Sequence, residues 1–313
     1  MIGVIGAGAF GTALSIALSS DGTPVSLWAR EGGDAINAAR ENRARLPGHS
    51  LPPSLTVTSD LTDLQKACVI LLVVPAQQTE HFLKDHGASL PDAPIVLCAK
   101  GITQNGFQLQ SELTAKETRT AVLTGPGFAS DIARGLPTAL TLASKYEDLK
   151  SLQETLSRPH LRLYRTEDVI GAQLGGALKN VIAIAAGIAI GSGLGESARA
   201  AIVTRGFAEM RALAAAHGAQ DNTLSGLSGL GDLMLTCASE KSRNFRHGLA
   251  LGGNQSTPDE TVEGIATALA TLDLAASHGV EMPITKAVCS VLSQTSSVSE
   301  ALEDLLSRPL RSE

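Results

Sequence analysis

The sequence predicts an α/β domain with a mainly parallel sheet, followed by an all-helical domain. Three observations carry that prediction. Residues 1–166 alternate short aliphatic runs with amphipathic ones, the pattern of βαβ units. A glycine loop, GAGAFG at 6–11, follows the first aliphatic run and opens a helical one. After about residue 166 long helical periods take over, with no convincing strand among them.

In order, strands are predicted at 2–5, 25–28, 69–74, 95–99, 120–123 and 138–142, with helices at 12–20, 32–41, 79–86 and 108–115. The stretch 46–55 carries Pro47, Pro52 and Pro53 and reads as an ordered loop. The second half reads as helices at 169–190, 197–216, 233–238, 245–251, 261–278, 283–292 and 298–306, with a Ser/Thr-rich loop at 293–299. A dinucleotide-binding domain is therefore expected over 1–166 and a helical substrate-binding and catalytic domain over 167–313. A boundary nearer 190 is the alternative, because the helix at 169–190 can be shared.

The chain's 313 residues suffice for two domains with substantial cores, at about 100–200 residues each. A net charge of −6, without a long basic run, argues against nucleic acid as the main partner, and 3% aromatics leave few stacking platforms. The four cysteines form no Cys-x-x-Cys pair, so free thiols in a reducing cytoplasm are expected. Seven histidines are scattered without a metal-ligand spacing, and no metal is expected. The first strand is predicted to begin at Ile2, so no signal peptide is expected.

The stretch 169–190, VIGAQLGGALKNVIAIAAGIAI, holds one charge, Lys179. About 20 apolar residues also suffice to span a bilayer. A central lysine costs roughly 2.5–3.5 kcal/mol on insertion scales, Gln173 and Asn180 add to that, and no Trp or Tyr belt flanks the segment. A buried helix fits better and no membrane span is expected. Asp168 stands ready to cap the helix, and Gly171, Gly175, Gly176 and Gly187 admit close neighbours. From position alone Lys179 has two equal readings: a stem lying on apolar surface with its amine reaching water, or a proton donor to a substrate.

Other residues point the same way. Gly6 permits the tight turn, Gly8 lets a pyrophosphate approach the backbone, and Gly11 lets the helix pack on the strand: a Rossmann-like dinucleotide fingerprint. About 20 residues later, where an NAD-selective site carries an acid, the strand ends Leu27-Trp28-Ala29-Arg30 with Glu31 one place on. Arg30 is thus either a partner for the 2′-phosphate of NADP or a solvated surface residue. The segments ending at Pro75 and Lys100 follow sheet strands at the edge where such sheets bind ligands. Asp232 and Thr236 stand four apart, on one helix face. Ser242-Arg243-Asn244 looks like a helix start suited to a phosphate. Taken singly, each of these has a purely structural alternative.

Assembled, the segments resemble one family, the bacterial NAD(P)-dependent glycerol-3-phosphate dehydrogenases, over nearly the whole chain. The matching runs are GAGAFGTAL at 6–14, VVP at 73–75, AKGI at 99–102, GPGFASDIARGLPTAL at 125–140, GAQLGGALKNVIAIAAGI at 171–188, ARAAIVTRGFAEM at 198–210, GLGDLMLTC at 229–237, SRN at 242–244, VEG at 262–264 and MPIT at 282–285. The resemblance implies a 6-phosphogluconate-dehydrogenase-like helical domain and reversible NAD(P)H-dependent reduction of dihydroxyacetone phosphate to sn-glycerol 3-phosphate, a step of phospholipid biosynthesis. It implies catalytic roles for Lys179, Lys100 and Asp232. Cofactor contacts are implied at Gly6, Gly8, Ala9, Phe10, Gly11, Arg30, Pro75, Lys100, Ala129, Arg243 and Glu263. Substrate contacts are implied at Lys100, Gly125, Gly127, Lys179, Asn180, Asp232, Thr236, Ser242, Arg243 and Asn244. The family commonly has Ser or Thr where this chain has Gly127, so a hydroxyl contact is absent there. NADPH is favoured over NADH because of Arg30, and a cytoplasmic homodimer acting on a phosphorylated small molecule is expected. A dehydrogenase of a 3-hydroxy acid or ketopantoate-like substrate is the alternative within enzymes. A cofactor-sensing binding protein that has lost catalysis is the alternative outside them.

Overall fold

In the computed structural model, which describes residues 1–115 and 118–307, the first aliphatic run forms β1 (Ile2–Ile5), buried along its whole length. The chain continues through α1 (Ala9–Leu18), β2 (Val25–Trp28), α2 (Gly33–Ala39), β3 (Leu55–Thr58), β4 (Val69–Leu72), α3 (Thr79–His86), β5 (Ile95–Leu97) and β6 (Thr120–Thr124). It then forms α4 (Ala129–Ala133), β7 (Thr138–Ala143), α5 (Leu149–Leu156) and β8 (Leu161–Thr166). The strands make one eight-stranded sheet in the order β3-β2-β1-β4-β5-β6-β7-β8. Every neighbouring pair is parallel except β6 with β7. The order reverses direction at β1, and ligands of such sheets sit beyond the carboxyl ends of the strands at that point. Because successive side chains of a strand alternate faces, Ile2 and Val4 join a core containing Leu14, Leu18 and Leu27, whereas Ile5 joins one containing Trp28, Phe82 and Leu97.

Two strands and two helices of this half go beyond the sequence expectation, among them the five-residue α4. β3 is a four-residue run hidden at the end of the proline-rich loop. β8, LRLYRT, alternates buried leucines with exposed Arg162 and Tyr164, the period of a half-buried strand. α5 buries Leu149, Leu152 and Leu156, spaced along one helix face. The helix expected at 108–115 is only a 3₁₀ turn, Gln110–Leu113. Four residues make one such turn, and Thr114 beyond it is extended.

The second half comprises α6 (Val169–Gly191), α7 (Gly195–Ala216), α8 (Asp221–Leu224), α9 (Asp232–Cys237), α10 (Arg243–Gly252), α11 (Glu263–Ser277), α12 (Pro283–Leu292) and α13 (Val298–Leu306). The chain divides into two compact units, Met1–Lys100 with Leu109–Gln173, and Gly101–Gln108 with Leu174–Glu313. The division thus falls inside α6, and residues 308–313 of the expected second domain lie outside the described residues. Asp168 caps α6 by accepting the Gly171 N–H at 2.8 Å. That helix is long and apolar enough to cross a membrane, yet 83% of its most apolar window is buried inside the fold, so little of it is left to face lipid. Gly187 packs against the backbone of α10, where a Cβ would run into Phe245 O; that contact is why α6 and α10 can lie so close.

Candidate active site

The glycine loop leaves β1 through Gly6, whose φ of +114° suits glycine and whose added Cβ would meet Val73 O at 2.6 Å. Gly8 is the N-cap of α1, and apart from its own chain neighbours no atom lies within 4 Å of a Cβ built there. At Gly11 a Cβ would collide with Gly6 O, so helix and turn pack backbone to backbone. No side chain caps α1, and the N–H groups of Gly8, Ala9, Phe10 and Gly11 take no partner among the described residues. The result is a set of outward donors at a helix N-terminus, beside open space where only a Cβ-free residue stands. Val73 of the VVP segment abuts the loop, and Pro75 beyond it is exposed.

β2 ends at Trp28, so Arg30 lies past the strand, and strand alternation does not decide which way it points. Its side chain is 82% exposed and that of Glu31 is 89% exposed, with Arg30 Nε 4.0 Å from Glu31 Oε1. Lys100, past the end of β5, donates from Nζ to Gly125 O at 2.8 Å. Gly125, at φ +131°, turns the chain after β6. A Cβ at Gly127 would stand 3.1 Å from both Ile132 Cδ1 and Thr138 Cγ2, so the missing hydroxyl is matched by a tight site. Ala129 begins α4, which packs against α1.

In the second unit Lys179, 6% exposed, donates from Nζ to Asp232 Oδ1 and to Thr236 Oγ1, both at 2.7 Å. The Thr236 hydroxyl donates in turn to Asp232 O at 2.6 Å, which leaves its lone pair to the ammonium. These bonds remove the snorkelling alternative, because the amine ends on buried partners. Asp232 is presented by a π-helical turn, Leu227–Gly231, closed by the Gly231 N–H on Gly226 O at 3.0 Å. Such wide turns recur at functional sites. Gly229 is needed in it, since a Cβ there would collide with Leu224 O. Cys237, next in sequence, has its thiol pushed up to about 12 by burial, an effect the Lys179 charge only partly offsets. The thiol is therefore inert at neutral pH.

Next to Lys179, Asn180 accepts at Oδ1 from Asn244 Nδ2 at 2.9 Å, and Asn244 Oδ1 accepts the Gly264 N–H at 2.9 Å. Ser242 caps α10 through Phe245 N at 3.2 Å. Arg243 follows it, exposed and without a charged partner among the described residues. Glu263 opens α11 one residue before Gly264. The structure therefore gathers Lys179, Asp232 and Thr236 into one cluster, and Asn180, Asn244 and Gly264 into another. In the first unit it joins the glycine loop to Val73 and Lys100 to Gly125. No described bond ties Arg30, Pro75 or Ala129 into those clusters.

Three buried residues escaped the sequence reading. Asn42 donates from Nδ2 to Ala7 O and Thr12 Oγ1, both at 2.9 Å. Arg158 holds the carboxyl end of α1 through Leu18 O at 2.7 Å. Glu209 accepts the Ile284 and Thr285 N–H groups at 2.6 and 3.2 Å, capping α12. Nothing in their sequence surroundings marks them: Asn42, for one, lies in the charged run Arg40-Glu41-Asn42-Arg43.

Two family models match, described as the N-terminus and the C-terminus of NAD-dependent glycerol-3-phosphate dehydrogenase, over residues 1–150 and 168–303. A glycerol-3-phosphate dehydrogenase [NAD(P)+] from a Ruegeria species is 54% identical, with 100% of this chain and 99% of that one covered. The protein of the same description from Roseobacter denitrificans is 53% identical over the same shares. The crystal structure of glycerol-3-phosphate dehydrogenase from Coxiella burnetii superposes with a TM-score of 0.93 at 37% identity, covering 98% of each chain.

Proposed function

Since the chain belongs to the NAD-dependent glycerol-3-phosphate dehydrogenase family over both halves, we propose that it catalyses the reversible NAD(P)H-dependent reduction of dihydroxyacetone phosphate to sn-glycerol 3-phosphate. The product supplies the backbone of glycerophospholipids. The observation that carries the chemistry is the buried ammonium of Lys179, held at 2.7 Å by both Asp232 and Thr236.

The first unit fits a dinucleotide. The open ground at Gly8 and the unpartnered N–H groups of Gly8 to Gly11 form a cradle that any side chain on Gly8 would fill. Gly6, Gly8, Ala9, Phe10 and Gly11 would hold the pyrophosphate, with Arg30, Pro75, Lys100, Ala129, Arg243 and Glu263 as further contacts. When bound, the nicotinamide supplies a hydride to carbon 2 of the ketone. Lys179 then meets the negative charge that develops on the ketone oxygen and delivers a proton to it from Nζ. Asp232 and Thr236 keep that ammonium aimed, so little reorganisation is needed as the charge appears. Ser242, Arg243 and Asn244 would bind the substrate phosphate, Arg243 through its planar fork. Gly125, Gly127, Asn180 and Lys100 complete the substrate contacts.

The same reading assigns dinucleotide binding to 1–166 and catalysis to 167–313, prefers NADPH through Arg30, and makes the enzyme a cytoplasmic homodimer. Four free cysteines support a reducing compartment, and the apolar helical half supports the dimer. Light scattering of a monomer at micromolar concentration would remove the dimer. The activity is tested with purified protein, dihydroxyacetone phosphate and NADPH or NADH, followed at the nicotinamide absorbance. Oxidation of neither cofactor refutes the proposal, as does equal activity with ketones lacking a phosphate.

A further inference from the structure

Asn42 lies between α2 and β3, outside every set of residues assigned above, and is 1% exposed. Its amide has two N–H bonds, and both are used at 2.9 Å, one on Ala7 O inside the glycine loop and one on Thr12 Oγ1 of α1. The amide orientation is dictated by its neighbour: turned over, Oδ1 would face the Ala7 carbonyl, acceptor against acceptor. Its backbone cannot swing away. Asn42 O takes the Leu46 N–H at 2.8 Å, Leu51 N donates to Arg40 O at 2.8 Å, and Glu41 Oε1 takes the Gly48 N–H at 2.8 Å. Leu46 and Leu51 are themselves anchored in the core, each 5% exposed.

We infer that Asn42 is a positioning residue for the cofactor: by holding the Ala7 carbonyl it fixes the peptide plane that aims the Gly8 N–H at the dinucleotide pyrophosphate. In a trans peptide the carbonyl and the following N–H point in opposite directions. An Ala7 carbonyl turned inward to Asn42 therefore turns the Gly8 N–H outward, to the side where α1 presents its unpartnered donors. Gly8 has no side chain to hold that plane by packing, and its surroundings are open to 4 Å. Glycine peptides are the easiest in a chain to rotate, so a loop built this way needs an external hold. The inference rests on reading the glycine loop as the cofactor site.

The experiment compares cofactor binding in the wild type and in Asn42→Asp, Asn42→Ala and Thr12→Val, together with thermal melts and steady-state kinetics. Asn42→Asp keeps the shape but sets a carboxylate against the Ala7 carbonyl, and Asn42→Ala removes the donor without adding charge. Both should raise the dissociation constant of NADPH at least about tenfold, the equivalent of about 1.4 kcal/mol. ADP-ribose, which has the pyrophosphate but no nicotinamide, should weaken by the same factor. Turnover at saturating cofactor and the Michaelis constant for dihydroxyacetone phosphate should stay within twofold. Thr12→Val, which leaves the Ala7 bond in place, should bind NADPH within twofold of wild type. A merely structural Asn42 would lower the melting temperature and leave the affinity of the folded protein unmoved, and that result overturns the inference. So does equal weakening in Thr12→Val, or loss of the thermal transition in both Asn42 variants. If the wild type binds neither NADPH nor NADH, the cofactor reading itself fails; if it binds and the Asn42 variants bind equally well, only this inference does.

Discussion

Lys179→Met separates the chemical role of the lysine from its structural one. Methionine fills similar space but cannot carry a proton, and general acid catalysis is worth about 10²–10⁴-fold. Turnover should fall by that factor, with cofactor affinity unchanged because the glycine loop is untouched. The structure adds a second expectation. Lys179 and Asp232 are 6% and 1% exposed, so Met at 179 strands a carboxylate whose ion-pair partner at 2.7 Å is gone. Breaking a buried pair from one side costs about 3–5 kcal/mol. For a chain of this size that corresponds to a fall in melting temperature on the order of 10 °C. Lys179→Met/Asp232→Asn removes the stranded charge and should recover most of that fall while turnover stays lost. The assays are nicotinamide absorbance under conditions where chemistry limits the rate, and a calorimetric or circular-dichroism melt of all four members of the cycle. A single mutant within threefold of wild-type turnover excludes the proposed acid. A double mutant no more stable than the single one shows that the lost stability came from packing, not charge.

Arg243→Ala should hurt dihydroxyacetone phosphate far more than dihydroxyacetone, shrinking the phosphate's advantage in kcat/KM by about tenfold or more, the worth of a charged hydrogen bond. Equal losses for both ketones would move Arg243 out of the phosphate site. Arg30→Ala should raise the NADPH Michaelis constant about tenfold or more with little effect on NADH; unchanged NADPH kinetics, or a wild type tenfold more efficient with NADH, would assign the 2′-phosphate elsewhere. His247 is buried in α10, its Nδ1 has no hydrogen-bond partner among the described residues, and burial holds its pKa below the ordinary histidine value against the opposing pull of Glu260. As pH falls below the unfolded value of about 6.5, the unfolded chain takes up a proton that the folded one resists, so stability drops until the folded pKa is reached. His247→Phe should therefore lose less melting temperature than wild type between pH 7.5 and pH 5.5; an equal or larger loss would show that His247 does not contribute to the acid sensitivity.

The elements that were legible in the sequence are those whose hydrophobic period is long or whose punctuation is strong. β1 with its glycine loop, and α6 with Asp168 at its start, are examples. β3 and α5 were not, because four residues after a proline-rich loop, or eight with three leucines, carry too short a period to stand out from their surroundings. β8 was legible in principle: its leucines alternate with arginine and tyrosine, but such a polar outer face resembles a loop when it is read by composition. The 3₁₀ turn at Gln110–Leu113 shows the reverse error, a helical spacing too short to sustain a helix.

The candidate site divides in the same way. Residues that carry chemistry advertise themselves, because a charge in a 22-residue apolar run or a glycine at a fixed spacing violates what packing alone would select. Residues that hold the chemistry in place leave no such mark. Asn42 reaches its loop carbonyl across 35 positions, Glu209 reaches the start of α12 across 75, and Arg158 reaches the end of α1 across 140. Each satisfies a backbone group at a helix end or turn, and the need for a partner there follows from buried polar groups being costly when unpaired. Sequence can announce that need, as it does for the uncapped start of α1, without naming what meets it. Only the fold supplies the partner, and for the loop carbonyl beside α1 that partner is Asn42.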